Sequence, residues 1–96
     1  MKLPEPLVLD DHPAARRLLF DTVENQIREH DPPAASQALA RLLTAGVSRE
    51  HAIAYSACVL SVEFFEIIEQ QSNFDRERYC ANLAALPTLP YDESAL

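Results

Sequence analysis

Apolar residues recur along most of the chain at intervals of three and four positions, and no stretch alternates apolar and polar residues for long enough to predict a strand. Proline, glycine and capping residues divide the chain into predicted helices over about residues 12–30, 32–45, 49–71 and 76–86. The pattern therefore predicts one compact all-α domain over residues 1–96, with four helices, short loops and a long, central third helix. The Pro-containing ends, including a tail at 87–96, are expected to be extended or mobile.

Local signals at the predicted helix ends support this division. Gly46, the only glycine in the chain, is expected to close the second helix in the left-handed conformation. Phe74 and Tyr79 stand at the two positions of a hydrophobic staple around the start of the fourth helix. The predicted side-chain caps of the second, third and fourth helices, all interpreted as structural polar residues, are Asp31, Ser48 and Asp75.

The first predicted helix contains an unusually polar segment, Glu24-Asn25-Gln26. At about 100° per residue, Gln26 falls within the apolar face and Glu24 lies away from it. Because a buried amide needs a hydrogen-bond partner, we interpret Gln26 as a structural polar residue that reaches unpaired backbone groups at a nearby helix terminus. The apolar face itself consists of Ala15, Leu19, Val23 and Ile27.

The third predicted helix is apolar on two sides. One side is expected to form the domain core and consists of Ile53, Ala57, Leu60, Phe64, Ile67 and Ile68. The opposite side is a candidate interface and consists of Tyr55, Cys58, Val59, Val62 and Phe65. Because the three shorter helices can hardly enclose so long a helix, we predict a homodimer in which this side packs near its symmetry mate. The alternative is a monomer in which the N-terminal segment LPEPLVL covers that side.

Composition and charge narrow the classes of function. Hydrophobic residues make up 48% of the chain and charged residues 24%, which is typical of a globular protein. The net charge of −7 disfavours binding to nucleic acid or to anionic membranes. Apolar runs are too short to span a bilayer, and the start MKLPEPLVLDD does not read as a signal peptide. With Cys58 and Cys80 interpreted as reduced thiols, we expect a cytoplasmic protein.

The segments VENQ, ALARLLTAGVSR and FDRERYCANLAAL, with AI and VL between the last two, form a pattern over roughly residues 10–86. This pattern resembles a family of short bacterial helical proteins classed as a domain of unknown function, and the resemblance implies a helical fold. Family members commonly read R-H-E-A-I-H where this chain reads REHAIA at 49–54. The family form is similar to the zinc-binding H-E-x-x-H arrangement. This chain has Glu50 and Ala54 at the two histidine positions, so the resemblance supports the fold and weakens an enzymatic interpretation.

No catalytic template is recognisable, and no cofactor or catalytic residue is predicted. Glu63, Glu66 and Glu69 recur every third residue of the third helix, and we interpret them as a solvated stripe. The leading hypothesis is a non-enzymatic, homodimerising module that presents its outer surface to a protein partner. The alternative is a zinc- or iron-binding helical bundle that uses His51 with carboxylates from another chain, with hydrolysis as the activity such a site could support.

Overall fold

The structure, a computed structural model, describes residues 13–90 of the chain. Within that range the backbone forms four helices and no strand, so the predicted all-α four-helix fold is confirmed. Each helix begins and ends within two residues of its predicted bounds. The helices are α1 (Pro13–Glu29), α2 (Pro33–Thr44), α3 (Arg49–Gln70) and α4 (Arg76–Ala84).

The long helix α3 is the centre of the fold, because it packs against each of the other three helices. Nine of the ten residues from 52 to 61 are buried, and Tyr55 in that stretch is partly buried. Among the described residues α3 is the one helix long and apolar enough to cross a membrane, but 56% of its most apolar window is buried inside the protein. Burial on that scale is typical of the core helix of a globular domain.

Small side chains allow the helices to approach α3 closely. Ala35 and Ala38 of α2 and Ala57 of α3 are fully buried at 0% exposure. The two buried serines of α3 do not leave unpaired hydroxyls, since each donates a hydrogen bond to a backbone oxygen one turn earlier: Ser56 to Ala52 at 3.1 Å, and Ser61 to Cys58 at 2.6 Å. The buried alanines therefore allow close packing of the helices. The two buried serine hydroxyls both have hydrogen-bond partners.

Most of the predicted helix ends have the expected geometry. The hydroxyl of Ser48 accepts a hydrogen bond from the backbone N–H of His51 at 3.1 Å, and the carboxylate of Asp75 accepts one from that of Arg78 at 2.9 Å. The staple is formed as well, with the ring centroids of Phe74 and Tyr79 5.6 Å apart. Gly46, which follows α2, has a φ of +93°. The two backbone hydrogen bonds of a Schellman motif form around it.

The predicted N-cap role of Asp31 is wrong. Helix α2 begins at Pro33, so the cap position belongs to Pro32, and no side chain caps this end. Asp31 stands one residue too early and instead accepts a hydrogen bond from the guanidinium of Arg76 in α4 at 2.8 Å. The acid thus joins the α1–α2 loop to α4 at the surface instead of starting a helix.

The part of the C-terminal tail that the structure describes lies against the bundle. Leu86 is only 3% exposed, and Leu89 packs against the core. The guanidinium of Arg41 donates to the carbonyl oxygens of Leu83 and Leu86 at 3.1 and 3.0 Å, which closes the end of α4. Within residues 87–90 only Leu89 packs against the core, and residues 91–96 and the N-terminal segment lie outside the described residues, so the extended or mobile tail stays a prediction.

Candidate interaction surface

The five residues predicted as an interface on α3 do not form one surface. Cys58 and Val59 are fully buried at 0% exposure, and Tyr55 and Val62 are partly buried. Phe65 alone is well exposed, at 51%. The prediction fails for Cys58 and Val59 because α3 packs against all three other helices and both side chains lie within its buried stretch, residues 52–61.

The predicted core side of α3 is not buried at the C-terminal end of the helix. Ile67 and Ile68 are 37% and 72% exposed, although their spacing places them in line with buried Ile53 and Leu60. The reason is length: α3 has 22 residues and α2 has 12, so the two helices span about 33 Å and 18 Å. The neighbours end before α3 does, and its last turns lack a full cover.

An apolar groove lies where the start of α1 meets the end of α3. Its volume is about 230 Å³, and the small side chains of Ala15 and Ser61 leave room for it. The Ser61 hydroxyl is already bonded to the Cys58 carbonyl oxygen, so it contributes little unpaired polarity. We call this feature the α1–α3 groove, and its lining consists of Ala15, Leu19, Ser61, Phe64, Phe65, Ile68 and Glu69.

Glu63 does not belong to a solvated stripe, which corrects the prediction. Its carboxylate is completely buried and accepts hydrogen bonds from Arg78 at 2.7 and 2.9 Å and from the backbone N–H of Asp75 at 3.2 Å. The pairing raises the pKa of the Arg78 guanidinium. Glu63 faces α4, whereas Glu69 lines the α1–α3 groove. A fully bonded acid in this position holds α4 against α3.

Gln26 has a hydrogen-bond partner, but the partner is not the one expected. Its side-chain oxygen accepts a hydrogen bond from the hydroxyl of Tyr79 at 2.6 Å, where a backbone group at a helix end was predicted. Tyr79 is fully buried, and this burial raises the pKa of its phenol. Sequence analysis missed the pair because the two residues are 53 positions apart.

Glu24, the first acid of the polar segment, binds the start of α3. Its carboxylate accepts two hydrogen bonds from the guanidinium of Arg49, at 2.7 and 2.9 Å. These bonds hold the pKa of the Glu24 carboxyl below its ordinary value. Asn25 accepts a hydrogen bond from Arg28 within the same helix. The polar segment of α1 therefore joins helices, since Glu24 reaches α3 and Gln26 reaches α4.

His51, the residue considered for metal binding, and the other described histidine, His30, lie in different parts of the fold. His51 is partly buried in the first turn of α3. His30 follows α1, and its ring nitrogen lies 3.2 Å from the Ser36 hydroxyl. Within residues 13–90 no three histidine, cysteine, aspartate or glutamate side chains are grouped so that they could hold a metal ion.

A second depression, of about 630 Å³, lies beside the first turn of α4. It is wide and open, and sequence analysis did not anticipate it. Two of its polar residues already have partners: the Asp75 carboxylate caps α4, and the Arg76 guanidinium binds Asp31. The α1–α3 groove is thus the better candidate for a binding surface.

Comparison with known proteins adds no identity to this description. No family model, curated protein or solved structure matches the chain. The resemblance to the family of unknown function stays a prediction. Any functional conclusion therefore has to come from the surface and the contacts described above.

Proposed function

We propose that the chain is a non-enzymatic protein-interaction module that forms a homodimer through the exposed end of α3. The observation that carries the proposal is the pair of large apolar side chains beside the α1–α3 groove: Phe65 is 51% exposed and Ile68 is 72% exposed. Adjacent apolar side chains at the surface of a small domain mark an interaction site. The proposal retains Phe65 of the predicted interface and moves its centre toward the end of α3.

The shape of this surface supports association with a second copy. A two-fold interface needs a patch that complements itself, so that a projecting side chain of one copy meets a recess of the other. Ile68 projects into solvent, and Ala15 and Leu19 form the recess one helix away. The same patch thus offers both halves of an isologous contact.

The remaining polar side chains support a role without catalysis. Three side-chain pairs between helices, Glu24 with Arg49, Gln26 with Tyr79 and Glu63 with Arg78, are each hydrogen-bonded. Groups engaged in this way stabilise the fold and are not directed at a common point where a substrate would bind. The chemistry of the described surface is therefore apolar contact.

Sedimentation velocity over a concentration series tests the proposal. Ile68→Glu places a charge within the contact and is expected to weaken the dimer at least about tenfold, which corresponds to about 1.4 kcal/mol. The matched control is Leu43→Glu, because Leu43 is 43% exposed on α2, outside the groove. Circular dichroism should show the same helicity in both variants.

Two results would contradict the proposal. One is a wild-type protein that stays monomeric up to high micromolar concentration. The other is an equal loss of dimer in the two variants, which would mean that added negative charge alone is responsible. Because each copy carries a net charge of −7, we also expect the dimer to tighten as salt is raised and mutual repulsion is screened.

A further inference from the structure

The α1–α3 groove lies next to the point where the described chain begins. Pro13 is the first described residue, and Ala15, which lines the groove, is two positions further on. Twelve residues precede Pro13, and the longest apolar run in them is Leu7-Val8-Leu9. A short apolar segment and an apolar groove are thus joined through the same chain.

The connection is long enough for the segment to reach the groove of its own chain. Asp10, Asp11 and His12 separate Leu9 from Pro13, and three residues span up to about 10 Å. Ala15 and Leu19 lie one helical turn apart, about 6 Å along α1. Three extended residues span about 10 Å, so Leu7-Val8-Leu9 is long enough to cover this turn of α1.

The apolar character of the segment also matches that of the α1–α3 groove. The groove is lined mainly by apolar atoms of Leu19, Phe64, Phe65 and Ile68. The apolar run is followed by two aspartates, a residue type that favours solvent, so the sequence separates a segment suited to burial from one suited to water. A residue before proline disfavours the helical conformation, so His12 is a natural point for the chain to leave the axis of α1.

We propose that Leu7-Val8-Leu9 binds the α1–α3 groove of its own chain and competes there with a second copy. The competition rests on the proposed function, whereas the intramolecular binding does not. A tethered segment has an effective concentration in the millimolar range, so it opposes a dimer that needs the same groove. Binding of the segment to the groove then lowers the affinity with which two copies form the dimer.

A spin-label experiment on the full chain tests the intramolecular contact. The label is attached at Glu5→Cys in a Cys80→Ser background, two residues before the apolar run, and methyl resonances of Leu19 and Ile68 are recorded by NMR. Strong broadening of both resonances is expected. The control adds Leu7→Ser and Leu9→Ser to the labelled chain and should restore the signals.

A mixed sample separates the two sources of the segment. Isotope-labelled chains without the spin label are combined with spin-labelled chains of natural isotopic composition. Broadening that survives in this mixture comes from a second copy and would overturn the intramolecular contact, as would an absence of broadening in the first experiment.

Dimer affinity tests the competition. The neutral double substitution Leu7→Ser/Leu9→Ser is expected to tighten the dimer by about tenfold, and Leu3→Ser, outside the run, should leave it unchanged. An unchanged or weaker dimer in the double variant overturns the competition.

The two proposals fail in different ways. If Ile68 is broadened within one chain but no variant dimerises, the proposed function fails and the contact stands. If wild type and double variant dimerise equally and no broadening is seen, the inference fails and the proposed function stands.

Discussion

Residues 52–61 and residues 62–70 of α3 both carry apolar side chains, yet nine of the first ten residues are buried, whereas three of the five apolar residues in the second stretch, Phe65, Ile67 and Ile68, are exposed. The difference does not come from their own pattern, since the apolar positions recur with helical spacing in both. It comes from the neighbouring helices, which cover nearly all of residues 52–61 but only part of residues 62–70, where α4 still covers Glu63 and α1 borders one side. Exposure in this bundle is therefore decided by relative helix length as much as by amphipathic pattern.

The largest expected effect separates the two halves by their contribution to stability. Leu60 is 1% exposed and Ile68 is 72% exposed, so Leu60→Ala should lower the free energy of unfolding by about 2–5 kcal/mol. In the Leu7→Ser/Leu9→Ser background, which removes the proposed N-terminal cover, Ile68→Ala should change it by no more than about 0.5 kcal/mol. Urea denaturation under conditions that keep the protein monomeric measures both. Similar losses in the two variants would mean that the end of α3 is covered.

A second contrast lies between two glutamates of the same helix. Glu63→Ala removes a buried carboxylate that accepts three hydrogen bonds, and should cost about 1.5–3 kcal/mol of stability. Glu69→Ala, at the exposed rim of the groove, should lie within about 0.5 kcal/mol of wild type. Chemical denaturation distinguishes them, and equal midpoints would contradict the buried position of Glu63.

A third, smaller effect concerns the contact that fixes α4 beside the covered half. Tyr79→Phe keeps the ring and loses the bond to Gln26, at a cost of about 0.5–1.5 kcal/mol. Burial raises the phenol pKa above its ordinary value of 10.0, so its contribution is complete below that value. Stability is then lost as pH rises, because the unfolded phenol ionises first. In denaturation at alkaline pH, Tyr79→Phe should lack this part of the decline; an identical pH profile would contradict the assignment.

The smallest effect is expected where the covered half of α3 begins. The Glu24–Arg49 pair is about half exposed, so a double-mutant cycle with Glu24→Gln and Arg49→Gln should give no more than about 1 kcal/mol. Its contribution is present above the ordinary Glu24 pKa of 4.5 and is lost as pH falls through the lowered folded value. A coupling energy that persists after full protonation of Glu24 would contradict this ion pair.

Local signals predicted local structure well. Ser48, Gly46 and Asp75 end or begin helices as expected, because caps depend on residues within one turn. The wrong prediction at Asp31 is also a local error, because α2 starts one residue later than the tandem prolines suggested. Errors of one residue are enough to remove a cap.

The candidate site was harder to predict because it depends on which helix covers which. The buried state of Glu63 follows from Arg78, which is 15 positions away and has no local signature. The unequal predicted lengths already indicated that α3 could not be covered everywhere. They did not indicate whether the uncovered surface would be a side or an end, and the packing of the structure places Ile68 rather than Val59 at the surface.

The most direct test of the central contrast is an NMR dilution series on the wild-type protein. If the uncovered end of α3 is the dimer surface, chemical shifts of Ala15, Phe65 and Ile68 should change with concentration while those of Ala57 and Leu60 stay constant. Shifts that do not depend on concentration at any of these residues, or that change equally in both halves of α3, would contradict the account.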